Sequence, residues 1–452
     1  MRPLPHLRPT AVAVAAALAL TGLSTLPQSQ AVAATTPQLT VATFNASLNR
    51  NADGQLKLDL ATPDNQQARN AAETIQRSGA DIVLVNEFDH DADGTSAKLF
   101  RDNYLKVSQN SAPAADYPYY WAGPVNTGVP SGMDLNNDGT VGGADDAFGF
   151  GTFPGQYGMV VYSKYPINTA DVRTFQNFLW KDMPGAKLPD DPATPQPADW
   201  YSTDELQAFR LSSKTHADVP VDVDGTIVHV LAAHPTPPSF DGPEKRNKLR
   251  NHDEIRLFAD YISGKGGYLY DDKGVRGGLA AGANFVIVGD YNSDPFDGDS
   301  EPGSIQQLLD NPALQDTLPT SAGAVEAAGL QGGANVGQTG DPKYDTADFN
   351  DTPRPGNIRV DYVLPNAGAT VTAAGVFWPV AADPLSRLTG VYPFPTSDHR
   401  LVWIKASFPA AEPQPQPTNE LPTAGPSATP SGPPSSTPAN PARPPKLPNT
   451  GA

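Results

Sequence analysis

The chain has 452 residues, no cysteine, and 49 acidic against 31 basic residues, which gives a formal net charge of −18. This length allows one large domain or two to three small ones, and the missing cysteines exclude a fold held together by disulfides. The acidic excess excludes a broad basic surface for nucleic acid. It does not exclude a nuclease, because bound divalent cations and a few local Arg or Lys side chains can neutralise phosphates.

Residues 1–34 predict a secretory signal peptide. Arg2 and Arg8 precede the uncharged apolar run of residues 11–20, and Ala31-Val-Ala33 supplies a small-x-small cleavage site. A membrane anchor is the alternative, but the apolar run is too short to span a bilayer comfortably. We therefore expect export of the protein, with no integral membrane segment in the mature chain.

The middle of the chain, residues 35–409, predicts one α/β domain. Apolar runs predict strands at residues 39–44, 81–85, 158–163, 226–233, 285–288, 359–364 and 401–406. Apolar residues at helical spacing predict a helix that ends at Gly79 and another around residues 255–262. Long Gly- and Pro-rich loops are expected at residues 108–155, 177–201 and 322–355. This order of elements favours an α/β sandwich over a regular parallel barrel.

Residues 410–452 predict a Pro-rich disordered tail. Its last 42 residues contain 13 prolines, with Ser, Thr, Gln and Ala between them, so little apolar surface is available for burial. The sequence Leu447-Pro-Asn-Thr-Gly451 resembles the sorting motif of cell-wall proteins, but only in part, because no apolar stretch and basic tail follow it in this sequence. We expect an extracellular protein that this tail attaches to the cell wall. The alternative is a Pro-rich segment with a chance match.

Polar side chains stand where the predicted strands end. Asp290 and Asn292 follow the apolar run of residues 285–288 and, as residues i and i+2, point to the same face of an extended segment. Their oxygens suit Mg²⁺ and phosphate chemistry. The other strand ends carry Asn45, Glu87, His234, Asp361, Asp398 and His399. Each residue taken singly is more often a turn or capping residue, but the ordered set predicts a catalytic site.

The chemistry of these residue types suggests a first set of roles. Glu87 is an anionic ligand for Mg²⁺, and Asn45 could ligate the metal or orient one of its waters. His399 is a candidate general base, because its unperturbed pKa lies near neutrality. Asp361 could supply the acidic partner that fixes the tautomer of this histidine.

Seven short motifs carry a resemblance to a known family. They are Ala42-Thr-Phe-Asn45, Val85-Asn-Glu87, Gly158-Met-Val-Val-Tyr-Ser163, Ala233-His-Pro235, Gly289-Asp-Tyr-Asn-Ser-Asp294, Arg359-Val-Asp-Tyr-Val-Leu364 and Ser397-Asp-His399. In this order they resemble the endonuclease/exonuclease/phosphatase superfamily, which includes deoxyribonuclease I, over residues 38–408. The resemblance implies a four-layer α/β sandwich of two face-to-face sheets flanked by helices. It also implies hydrolysis of a phosphoester by in-line attack of metal-activated water.

The resemblance further implies which residues hold the metal. Glu87 and Asn45 would bind Mg²⁺ or Mn²⁺. Asp398 would be a second contact to metal or phosphate.

The remaining residues receive catalytic roles from the same resemblance. Asp290 and Asn292 would orient the attacking water and the phosphate. His399 would act in base catalysis with Asp361 behind it. His234 would hydrogen-bond the scissile phosphate or protonate the leaving group.

The sequence departs from the family pattern around His234. Ala232-Ala233 replaces the usual Asn-x before this histidine, and Pro235-Thr-Pro-Pro238 follows it, as in deoxyribonuclease-like members. The pattern does not reveal which acidic residue would orient His234.

Two further segments, residues 108–155 and 177–225, are expected to be insertions that shape the substrate site. Lys214 and His216 lie near the end of the second segment, just before a strand. Two interpretations of this pair stay open: the side chains face phosphate, or they belong to an ordinary exposed loop.

Residues 134–145 fit the twelve-residue calcium loop of EF-hands. Positions 1, 3, 5, 7 and 12 are Asp134, Asn136, Asp138, Thr140 and Asp145, and the required glycine at position 6 is present. Asp replaces the usual Glu at position 12, and no flanking helices are evident. We expect an isolated, structural Ca²⁺ site that holds a long loop in place. The alternative is a turn rich in Asp and Gly.

Three functions stay open from the sequence. The leading hypothesis is a secreted, divalent-metal-dependent phosphodiesterase or nuclease, with extracellular nucleic acid among its candidate substrates. The second is a phosphomonoesterase that acts on sugar, inositol or lipid phosphates. The third is a surface-displayed binding protein that keeps the fold without the chemistry. It fits the tail, but it gives no reason for the intact set of catalytic residue types.

Overall fold

The computed structural model of the protein describes residues 35–410. The expected signal peptide and the tail beyond residue 410, including the sorting-like motif, lie outside the described residues, so both remain predictions. Within residues 35–410, no helix combines the length and the apolar character that a membrane span requires.

Most strands belong to two large sheets. The strands are β1 (Leu39–Leu48), β2 (Ile82–Phe88), β3 (Tyr119–Trp121), β4 (Met159–Ser163), β5 (Arg173–Thr174), β6 (Ala217–Val223), β7 (Thr226–Ala233), β8 (Asn284–Asp290), β9 (Ala347–Asp348), β10 (Asn357–Ile358), β11 (Asp361–Pro365), β12 (Thr370–Val376) and β13 (Val402–Ser407). The first sheet has the strand order β12-β13-β1-β2-β4-β3, and the second has the order β11-β8-β7-β6-β5. Strands β9 and β10 form a separate pair.

The helices of residues 35–410 vary widely in length. They are α1 (Gln55–Leu60), α2 (Gln66–Ser78), α3 (Thr95–Phe100), α4 (Thr203–Leu206), α5 (Arg246–Ile262), α6 (Gln306–Leu309) and α7 (Ala322–Gln331). The side chain of Asn65 caps α2 by accepting the backbone N–H of Ala68 at 3.0 Å, and Gly79 ends this helix with a φ of 66°. The predicted end at Gly79 is confirmed.

The two large sheets pack face to face, with helices on their outer surfaces. Val41 of β1 and Val230 of β7 belong to one buried cluster between the sheets. Phe44 of β1 points the other way and packs with the apolar face of α2. Leu231 of β7 likewise packs outward, with the apolar residues of α5. Side chains of one strand thus alternate between the space between the sheets and the space under the outer helices, which gives four layers: helix, sheet, sheet and helix. The predicted four-layer α/β sandwich is confirmed.

Three predicted segments differ from the structure. The expected loop at residues 108–155 contains β3, which pairs with β4 at the edge of the first sheet. Residues 177–225 are not entirely an insertion, because β6 lies in this range and pairs along its length with β7 in the second sheet. The expected loop at residues 322–355 contains α7 and the short strand β9. Small residues fill most of α7, so it shows no clear apolar stripe, and a two-residue strand carries no periodic signal.

The topology gathers the predicted site residues at one edge of the sandwich. Strands β1 and β2 are parallel, as are β7 and β8, so the strand ends that carry Asn45, Glu87, His234 and Asp290 share one edge of their sheets. Strand β11 runs antiparallel to β8, and its first residue, Asp361, pairs in register with Asp290.

Candidate active site

Asp290 is the centre of a buried cluster of predicted site residues. Its carboxylate is 1% exposed. Asn45 Nδ2 donates a hydrogen bond to Asp290 Oδ2 at 3.1 Å, and the same oxygen lies 3.3 Å from His234 Nε2 and 3.6 Å from His399 Nε2. The backbone N–H of Asn292 donates to Asp290 Oδ1 at 2.9 Å. Burial by itself would raise the pKa of Asp290, but the two histidines outweigh burial and hold that pKa below its usual value.

His399 and Asp361 form a buried pair, as predicted. His399 Nδ1 lies 2.9 Å from Asp361 Oδ2, and Thr346 Oγ1 donates to the same oxygen at 2.9 Å. Burial alone would lower the pKa of His399, but the charges of Asp361 and Asp290 outweigh it and hold that pKa well above its ordinary value. Burial raises the pKa of Asp361 to about 6, against the opposing charge of His399. Because the two groups interact strongly, they titrate as one pair.

His234 faces Asp290 rather than a separate acidic partner. Asp290 is the carboxylate next to its Nε2 atom, which answers the question that the sequence left open. Its Nδ1 atom is buried and has no hydrogen-bond partner among residues 35–410. Burial, and then the nearby positive charge of Lys214, lower the pKa of His234. This histidine is therefore the neutral one of the two.

Neither Lys214 nor His216 lies in an exposed loop, so that interpretation is wrong for both. Lys214 is 6% exposed and lines a pocket together with Glu87 and His234, and burial lowers the pKa of its ammonium group. Its position fits the prediction that it faces phosphate. His216 lies instead in the core, where Nδ1 hydrogen-bonds to Ser212 Oγ at 2.7 Å.

Glu87 is the residue best placed to hold a divalent metal. It is half-buried, lines the pocket, and accepts no hydrogen bond or ion pair from another of the described residues. Its φ of 55° breaks the alternation of β2 and turns the side chain toward the pocket. Asn45 lies on the neighbouring strand, and Asp398 is half-buried, with Ser47 Oγ 3.4 Å from its Oδ1. A free carboxylate, an amide oxygen and a second carboxylate fit Mg²⁺ or Mn²⁺.

A second arrangement of possible ligands lies inside the cluster itself. Ligand atoms of Asp290, Asp361 and His399 all lie within 4.8 Å of one another. The hydrogen bond between His399 and Asp361 occupies one atom of each, which suits proton sharing. Glu87 and Asn45 therefore remain the expected metal ligands, and Asp361 is the hydrogen-bond partner of His399.

Two polar residues of α5 hold the active-site loops, and the sequence analysis missed them. Glu254 accepts the backbone N–H groups of Ser213 and Thr236, both at 2.6 Å, which fixes the segments that carry Lys214 and His234. Asn251 Nδ2 donates to the backbone oxygens of Thr236 and Tyr291 at 2.8 and 2.9 Å. Both side chains are fully buried, but no local pattern in the sequence marks which polar residue of a helix holds a distant loop.

Asn292 joins the two loops that carry Asp290 and His234. Its side-chain Nδ2 donates to the backbone oxygen of Pro235 at 3.1 Å, and its φ is 51°. Asn tolerates this left-handed backbone better than most residues. Asn292 therefore positions the loop after His234 and leaves its amide oxygen available to a substrate.

The expected calcium loop forms a turn around its first acidic positions. Asp134 Oδ1 accepts the backbone N–H of Asp138 at 3.1 Å, and Asp138 Oδ1 accepts that of Thr140 at 2.8 Å. Asp145, expected at position 12, instead forms an ion pair with Arg246 at 3.0 Å. The Ca²⁺ site remains a prediction, and coordination by Asp145 would require this ion pair to open.

A comparison with family models identifies the class of protein to which the fold and the cluster belong. The model of the endonuclease/exonuclease/phosphatase family matches residues 42–399. The chain belongs to the endonuclease/exonuclease/phosphatase family, whose members are typically metal-dependent phosphoester hydrolases. A search of curated proteins gives no match.

Several solved structures are similar to this chain. An endonuclease/exonuclease/phosphatase from Beutenbergia cavernae is 18% identical, with a TM-score of 0.45, over 82% of this chain and 72% of its own. Sphingomyelinase C from Streptomyces griseocarneus is 18% identical, with a TM-score of 0.39, over 82% and 99%. A mannosyl-6-phosphatase from Bacteroides thetaiotaomicron is 14% identical, with a TM-score of 0.40, over 82% and 100%. Similarity at this level identifies no substrate for this chain.

Proposed function

We propose that the protein is a divalent-metal-dependent phosphoester hydrolase that cleaves a phosphodiester. The observation that carries this proposal is the buried cluster in which Asp290 accepts a hydrogen bond from Asn45 and contacts both His234 and His399. Glu87 and Lys214 extend the cluster into a pocket of about 530 Å³. An anionic metal ligand and a buried cation at one pocket suit a phosphate group.

The residues divide the work of hydrolysis. A water attacks phosphorus while the bond from phosphorus to the leaving oxygen breaks, and His399 in its neutral form, held by Asp361, takes up the proton of the water. His234, which is neutral, hydrogen-bonds the scissile phosphate, and Lys214 offsets charge on the phosphoryl oxygens. The leaving oxygen departs as an anion and takes its proton from solvent. A divalent ion held by Glu87 and Asn45 would supply further charge stabilisation.

A diester is favoured over a monoester by the sequence after His234. The His234-Pro235 segment resembles deoxyribonuclease-like members of the family. We also propose that the protein is exported and attached to the cell wall through its C-terminal tail. Detection of the native chain in a cell-wall fraction, and its loss from that fraction after deletion of residues 411–452, would test this part.

The test is Mg²⁺-dependent hydrolysis of bis-p-nitrophenyl phosphate, beside p-nitrophenyl phosphate and plasmid DNA. His399→Ala should abolish turnover with little change in melting temperature. His229→Ala is the matched control, because His229 also pairs with a carboxylate, Asp218, at 2.7 Å but lies outside the cluster. Faster cleavage of the monoester would move the protein to the phosphomonoesterases. No turnover of any substrate by the wild type would favour the binding-protein hypothesis.

A further inference from the structure

Two pockets meet at the loop that follows His234. The first, of about 530 Å³, is lined by Glu87, Lys214 and His234. The second, of about 310 Å³, is lined by Asn292 and by Phe349, whose ring lies 5.2 Å from the ring of His399. Pro237 and Phe240 of this loop line both pockets, so the loop borders the two of them. The first pocket therefore reaches the catalytic residues at His234, and the second reaches them at Asn292.

Phe240 is exposed and conformationally restrained at the boundary between the pockets. Its side chain is 90% exposed, and its φ is 63°, a value that a bulky residue adopts only when the surrounding structure imposes it. The neighbouring residues impose it. Asn247 Nδ2 donates to the backbone oxygen of Ser239 at 3.0 Å, and the carboxylate of Asp241 accepts the backbone N–H of Asn247 at 2.7 Å. The restrained backbone thus presents an exposed aromatic side chain at the boundary between the pockets, where a ligand can contact it.

The first pocket has aromatic walls. Phe150, Tyr157, Tyr201, Phe209 and Phe240 all line it. The rings of Tyr201 and Phe209 stack with centroids 4.6 Å apart, and the guanidinium of Arg250 lies 4.8 Å from the centroid of Phe209. Arg250 donates to the backbone oxygens of Phe148, Arg210 and Leu211, so its charge already has partners. These walls suit an uncharged planar ring, while Lys214 remains for the phosphate.

We propose that a phosphodiester binds with one ester group in each pocket, that the first pocket takes a planar ring such as an aryl group or a nucleoside base, and that Phe240 is a specificity-determining residue between them. This inference rests on the proposed hydrolase function. It goes further by naming the substrate class: a small diester with a ring on at least one side. An aliphatic chain in the first pocket is the competing occupant.

The test compares wild type, Phe240→Ala and Phe240→Tyr on three diesters of phosphate with one methyl ester group and a second ester group that is thymidine, hexyl or methyl, with the products separated by chromatography. Phe240→Ala should raise KM about 10-fold for the thymidine diester, with kcat within about 2-fold, because one stacking contact is lost. The methyl diester should change less than about 2-fold. Phe240→Tyr should keep the wild-type KM. Phe296→Ala is the matched control, since Phe296 is 69% exposed but lines neither pocket.

Three results would overturn the inference. One is an equal loss on the thymidine and methyl diesters. Another is a Phe240→Ala variant that behaves like Phe296→Ala on all substrates. The third is a lower wild-type KM for the hexyl than for the thymidine diester, which would favour the aliphatic occupant. Each of these leaves hydrolysis itself intact, whereas a wild type that cleaves none of the diesters would refute the proposed function as well.

Discussion

Replacement of Asp361 by Asn tests how the buried pair contributes to catalysis. Asp361 is fully buried, and its Oδ2 lies 2.9 Å from His399 Nδ1. A hydrogen bond between charged groups contributes about 1.5–3 kcal/mol, and each 1.36 kcal/mol in the barrier is a factor of ten in rate. If the pair matters chiefly in the transition state, Asp361→Asn should lower kcat by about 10- to 150-fold. KM should change little, because Asp361 does not line either pocket.

The pH dependence gives the prediction a second, independent measurement. In the wild type the charges of Asp361 and Asp290 hold the pKa of His399 well above its ordinary value. His399 can accept a proton only after it has lost its own. The fraction of His399 that is neutral grows as pH rises, so kcat should increase toward alkaline pH. Without the charge of Asp361 the pKa of His399 falls, so the midpoint of the profile should move to lower pH while the plateau decreases.

The assay is the initial rate of bis-p-nitrophenyl phosphate hydrolysis between pH 5 and 9 at saturating Mg²⁺. Asp218→Asn is the matched control, because Asp218 is equally buried and pairs with His229 at 2.7 Å outside the cluster. The control should lose stability but keep kcat and the shape of its pH profile. An Asp361→Asn variant with kcat within about 3-fold of the wild type and an unmoved midpoint would refute this role of Asp361. A control variant that loses as much activity as Asp361→Asn would refute it as well.

Two further predictions concern stability. Millimolar Ca²⁺ should raise the melting temperature of the wild type, and Asp134→Ala should remove that gain; a wild-type melting temperature that ignores Ca²⁺ would contradict the calcium loop. Burial lowers the pKa of His216 from 6.5 to about 4. The unfolded chain therefore binds a proton at this histidine more readily than the folded chain does. As pH falls from 6.5 to 4, the free energy of unfolding should decrease by about 3 kcal/mol. Urea unfolding of His216→Gln should depend less on pH in this window, and an unchanged dependence would refute the assignment.

The strand ends were predictable because they depend on local patterns. Apolar runs followed by Asn45, Glu87, His234 and Asp290 indicated both the strands and the polar residues that end them. The structure brings these ends to one edge because parallel strands share their direction. The pairing of Asp361 with His399 was likewise expected from their chemistry and is observed at 2.9 Å.

The supporting contacts were not predictable, because they depend on long-range packing. Glu254 bridges segments that lie 41 and 18 residues away in sequence, and no local pattern marks such a partner. Lys214 and His216 have the same local setting, yet one lines the pocket and the other packs in the core. The two-pocket arrangement around Phe240 also requires the folded loops.

The central claim is that the Asp290 cluster hydrolyses phosphoesters with a divalent metal. The most direct measurement is the rate of bis-p-nitrophenyl phosphate hydrolysis by the wild type and by Asp290→Ala, each with EDTA and with excess Mg²⁺. We predict that only the wild type with Mg²⁺ turns over, while circular dichroism shows that Asp290→Ala is folded at the assay temperature. Turnover by Asp290→Ala at a rate near that of the wild type, or wild-type turnover that persists in EDTA, would contradict the claim.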